Sequence, residues 1–101
     1  METLAHEQVH FDIAELIARR LRQRITQGHQ TGEDLYGAQA RQAIARIQQQ
    51  EDALNDAFDA QVEWAGGHKH EAAVRQRWQQ RIAHELKALA AYQAVPGSCP
   101  F

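Results

Sequence analysis

Glycine and proline interrupt this chain at only three places, Gly28 to Gly32, Gly66-Gly67 and Pro96 to Pro100, apart from a lone Gly37. These residues are the strongest local breakers of regular structure, so the segments between them are free to run as long helices and are too long for the strands of a sandwich or barrel. Apolar spacing agrees. Val9, Ile13, Leu16, Ile17, Leu21 and Ile25 recur at intervals of three and four, which predicts an amphipathic helix from about Thr3 to Gln27. Tyr36, Ala40, Ile44, Ile47, Leu54, Phe58 and Val62 form a second stripe, from a start after Thr31, where Thr31-Gly32-Glu33-Asp34 loosely resembles a capping box, to about Ala65. Val74, Trp78, Ile82, Leu86 and Leu89 form a third, from about His70 to Ala94, before Pro96 ends it.

Composition favours the same outcome: 18 Ala and 14 Gln are good helix formers, against 6 Gly and 2 Pro. Short turns make neighbouring helices antiparallel, so the expected fold is all-α, an up-down-up three-helix bundle with long second and third helices. Residues 1–95 form one helical domain and 96–101 a loosely ordered tail. Ala makes up much of the 44% hydrophobic content, so the core is expected to be thin and elongated. If residue 27 sits level with residue 33 across the first turn, His6 falls level with position 54. Phe58, Val62, Trp64 and Val74 would then project about 15 to 18 Å beyond the first helix, which points to a bent second helix or a homo-oligomer.

A formal charge of −2 argues against a general grip on nucleic acid, and no apolar run is long enough to span a membrane. Arg19, Arg20, Arg22 and Arg24 read as a solvated helix flank with acidic partners. Without a signal peptide the expected location is cytoplasmic. The single cysteine, Cys99, excludes an intrachain disulfide.

The chemistry-bearing constellation is His6-Glu7-Gln8-Val9-His10, an H-E-x-x-H motif on a segment that periodicity independently makes helical. Residues four apart share a helical face, so both imidazoles can converge on one metal ion, while Glu7 is rotated aside by roughly 100°. Zinc is the cofactor such a pair suits. It would activate a water, Glu7 would take the proton as general base, and the reaction class is metal-assisted hydrolysis of a peptide or another carbonyl compound. A catalytic zinc needs a third protein ligand. The bundle register offers Glu51, a carboxylate on the apolar stripe between Ile47 and Leu54, which could equally pair with an arginine at a helix edge.

The longer run from Leu4 to Arg22, HEQVHFDIAELIARRLR within it, resembles the signature helix of an uncharacterised bacterial family described as secreted zinc-dependent proteases, in which H-E-Q-x-H-F-D-I-x-E-L-x-A-R-x-L-R is the hallmark. That resemblance implies a metallopeptidase-like zinc site with His6 and His10 as ligands. It also implies His68 as the third ligand, because His68 precedes Trp78 by ten residues as a histidine does in that family, with Glu51 the runner-up. Gly66 and Glu63 stand where the family would place Thr and Asp, and the family carries a β-rich region upstream of the signature helix, whereas this sequence holds five residues ahead of His6. The alternative is a non-catalytic helical-bundle interaction or oligomerisation module that keeps a structural or relic metal site.

Other candidates have plainer readings. His68 and His70 beside the glycine pair could be turn residues, and His29 and His84 surface histidines. Trp64, Trp78 and Phe58 read as packing residues. Asp12 and Glu15 lie off the histidine face, with Asp12 the better placed of the two to orient a ligand imidazole.

Overall fold

The computed structural model describes residues 2–67 and 70–94. They form three helices, α1 (Glu2–Gln30), α2 (Ala38–Trp64) and α3 (Glu71–Ala88), followed by a short 3-10 turn at Ala90–Tyr92, with no strand among the described residues. All three helices pack on one another as an elongated bundle of 50 × 29 × 19 Å. The expected all-α class is therefore the observed one. The expected tail, 96–101, and His68 lie outside the described residues.

The first turn differs from expectation, and the reason is local. Thr31 to Glu33 do not start α2; they finish α1. The Thr31 hydroxyl donates to the Gly28 carbonyl (3.1 Å), the Glu33 amide donates to the same oxygen (2.8 Å), and the Glu33 carboxylate takes two hydrogen bonds from Arg24 (2.6 and 2.7 Å). These contacts satisfy carbonyls a helix end leaves open, so α1 runs through Gly28 to Gln30. Asp34 then makes its own turn, accepting from the Tyr36 amide through its side chain and from the Gly37 amide through its carbonyl (both 3.0 Å), which delays α2 to Ala38.

This longer turn moves the centre of the hairpin, and His6 comes level with Asp59 instead of residue 54. Five residues correspond to about 7.5 Å along α2. The shift abolishes the expected overhang: Phe58, Val62 and Val74 are buried, in one core cluster with Val9, Ile13, Ile17, Trp78 and Ile82. Each of these larger side chains contributes about 1.5–3 kcal/mol by leaving water. Trp64, read from sequence as a packing residue, is instead 94% exposed. Trp78 is buried with its indole N–H donating to Gln61 (2.8 Å), the partner a buried indole requires. At the second turn Gly66 and Gly67 take φ of 107° and 81°, the left-handed region that favours glycine.

The arginine cluster has the expected acidic partners but is not a solvated flank: its side chains are only 11 to 25% exposed, because Arg19, Arg20 and Arg22 lie between α1 and the end of α3 and Arg24 lies against Glu33. Arg19 binds Glu15 (2.7 Å) and the Leu86 carbonyl (2.6 Å), Arg20 binds Glu85 (3.1 Å), and Arg22 donates to the Tyr92 carbonyl (3.0 Å). These contacts tie α1 to the end of α3. No helix among the described residues is long and apolar enough to cross a membrane.

Candidate metal centre

Both motif histidines lie on the face of α1 that turns toward α2, one turn apart. Beneath them is Phe58, fully buried, with its ring 4.8 Å from the His6 ring and 5.3 Å from the His10 ring, centroid to centroid. Phe58 in turn meets Trp78 edge-on at 5.6 Å. The two imidazoles thus rest on the end of the hydrophobic core, which limits their rotation.

Because the helices are antiparallel, the i, i+4 pair on α1 meets an i, i+4 pair on α2, Asn55 and Asp59. His6 Nε2 lies 3.1 Å from Asp59 Oδ1, and His10 Nε2 lies 3.0 Å from the same oxygen. The outer ring nitrogens are engaged elsewhere. His6 Nδ1 is 3.1 Å from Oε2 of Glu71, a residue only 1% exposed, and His10 Nδ1 is 2.6 Å from Asn55 Oδ1. A neutral imidazole carries one N–H. If Nδ1 donates it to Glu71 or Asn55, Nε2 presents a lone pair toward Asp59, which is itself an acceptor.

Three lone-pair donors facing one another repel unless a cation or an extra proton lies among them. A divalent ion fits. Donor atoms from His6, His10 and Asp59 all lie within 4.8 Å of one another. Tetrahedral zinc with ligands at about 2.0–2.1 Å sets its donors about 3.3 Å apart, close to the 3.0 and 3.1 Å separating each Nε2 from the carboxylate oxygen. The same surroundings favour protonation of His10. Burial opposes the charged ring, but the hydrogen bonds with Asn55 and Asp59, with the charges of Asp59 and Glu7, outweigh it and hold the His10 pKa above its ordinary value.

Glu7 is exposed beside this cluster, and its charge acts on His10. Asp59 is 55% exposed, so the site is open on the α2 side. The structure brings His6 and His10 together and places beside them the Asp59 carboxylate, a candidate donor that sequence reasoning did not name. Glu51, the runner-up, stands eight residues before Asp59 on the same helix, about 12 Å away, because the real register carries it past the histidines. Asp12 does not orient an imidazole; it accepts from Gln8 (2.8 Å). Glu71 and Asn55 are the residues that lie against the two Nδ1 atoms. Asn55 and Asp59 have the same four-residue spacing as the histidines, but only the register between α1 and α2 pairs them.

An antiparallel helical bundle with two histidines and a carboxylate converging from its first two helices is the class of protein that fold and site define. Residues 2–70, which contain the whole triad, match the family described as "Bacterial protein of unknown function (DUF922)", and the chain belongs to that family. No curated protein and no solved structure matches the chain.

Proposed function

We propose that the chain is a zinc-binding domain of metallopeptidase type, with His6, His10 and Asp59 as ligands and Glu7 as general base. The observation that supports this reading is the convergence of two Nε2 atoms on one Asp59 oxygen while both Nδ1 atoms face acceptors. Two imidazoles and a carboxylate leave a fourth position open, the arrangement of catalytic rather than structural zinc. When bound, zinc supplies a Lewis acid and lowers the pKa of water in its fourth position to about 7.

The remaining work belongs to the chain's own groups. Glu7, next to His6 in sequence and exposed, accepts a proton at its carboxylate and returns it to the leaving amine. Phe58 closes the core side of the site to water. The open side next to the exposed Asp59 receives the substrate, a peptide or another carbonyl compound. A second reading, a non-catalytic bundle that oligomerises and keeps the metal for structure, is favoured by the exposure of Leu4, Phe11, Tyr36 and Trp64.

Elemental analysis of purified protein and of His10→Ala tests the metal; one zinc per chain, lost in the variant, is expected. A pool of quenched fluorescent peptides then separates the two readings. Glu7→Gln should retain zinc and lose about 10²–10⁴-fold in cleavage rate. Zinc retention with no cleavage by either protein would favour the structural reading, and equal metal content in wild type and His10→Ala removes the metal site altogether.

A further inference from the structure

We infer that Glu71 and Asn55 are positioning residues, each fixing one ligand imidazole as its Nδ1–H tautomer so that Nε2 faces the ion; this rests on the metal reading above. The buried face of α3 is Glu71, Val74, Trp78 and Ile82, so a carboxylate occupies the first place of an otherwise apolar stripe. A carboxylate 1% exposed is costly unless hydrogen-bonded and paired. Its position explains how it is tolerated and what it does. Glu71 lies in the first turn of α3, where the helix dipole favours an anion, and Arg75 one turn later approaches Oε2 at 3.5 Å. The same Oε2 accepts from His6 Nδ1 at 3.1 Å.

Asn55 serves His10 in the same way, with a neutral acceptor in place of a charged one. Its Oδ1 lies 2.6 Å from Nδ1. A ring whose Nδ1–H is donated keeps its plane and tautomer and becomes a better donor at Nε2. The two ligand histidines are thus held from different helices, His6 by α3 and His10 by α2. Asp59, by contrast, is shared by both rings through a single oxygen.

The test is zinc affinity by competition with a chelating dye, together with the visible spectrum of the cobalt-substituted protein, for wild type, Asn55→Ala, Glu71→Ala and Glu71→Gln. Loss of an acceptor should weaken zinc about 10–100-fold and alter the cobalt spectrum, and Glu71→Gln, which keeps a carbonyl acceptor, should recover part of the loss. Melting curves of the metal-free proteins check folding, and half-buried Asn55 carries the test if Glu71→Ala does not fold. Affinities within about twofold of wild type, against the 10–100-fold expected, overturn the inference and leave the metal site standing. Weaker binding with an unchanged cobalt spectrum also overturns it, since a purely structural defect leaves the coordination geometry intact. A wild-type chain that binds neither zinc nor cobalt removes both this inference and the metal reading.

Discussion

Zinc should raise the melting temperature of this chain because its donors come from separate helices. His6 and His10 lie on α1 and Asp59 on α2, more than forty residues later, so an ion held by all three exists only when the hairpin is closed. At a free zinc concentration of one hundred times Kd, a ligand that binds only the folded state stabilises it by about 2.7 kcal/mol. A chain of 101 residues unfolds with an entropy of about 0.21 kcal/mol/K, which converts that stabilisation into about 13 °C. Differential scanning calorimetry in a chelator and then in buffered zinc measures the shift. Asp59→Ala is the informative variant, because it keeps both imidazoles and loses the cross-helix donor. Its metal-free melting should stay near wild type, Asp59 being 55% exposed, while most of the zinc shift disappears. A shift of equal size in Asp59→Ala would show that the imidazoles alone account for binding and would refute the three-donor site.

Phe58→Ala removes a fully buried ring under both histidines and should cost about 3–5 kcal/mol in urea unfolding, with weaker zinc affinity measured in parallel. Gly66→Ala forces a side chain onto φ of 107° and places its Cβ 2.8 Å from His70 Cδ2, so about 1–2 kcal/mol should be lost by the same measurement. Metal-free protein should lose stability as pH rises: the His10 pKa is raised on folding, so its contribution is complete below about 6.5 and disappears as pH climbs through the higher folded value. Zinc-loaded protein should behave oppositely, shedding its ion as pH falls and imidazoles protonate, and melting curves from pH 5 to 9 with and without chelator display both trends.

Helix existence was legible because it rests on the placing of breakers and the period of apolar residues, and Val9, Ile13, Phe58, Val74, Trp78 and Ile82 sit in the core as their spacing requires. The two histidines were legible because they share one helix, where four residues always make one turn. Asp59 was not, because its partnership depends on register between helices, and register depends on a turn whose capping chemistry has two solutions. Thr31 and Glu33 could begin one helix or end the other; Arg24 decides it by gripping the Glu33 carboxylate. Glu71 was hidden for a different reason. Charge ordinarily marks a solvent face, and the contacts with His6 and Arg75 that accompany this inward charge appear only in the folded chain.

Because His6, Asp59 and Glu71 meet from three helices, the proposed centre can assemble only after the third helix has been made. A nascent chain exposes its histidine motif while the residues that complete and orient it are still untranslated. Any reactivity conferred by the finished centre is thereby withheld from the growing polypeptide and switched on by tertiary closure.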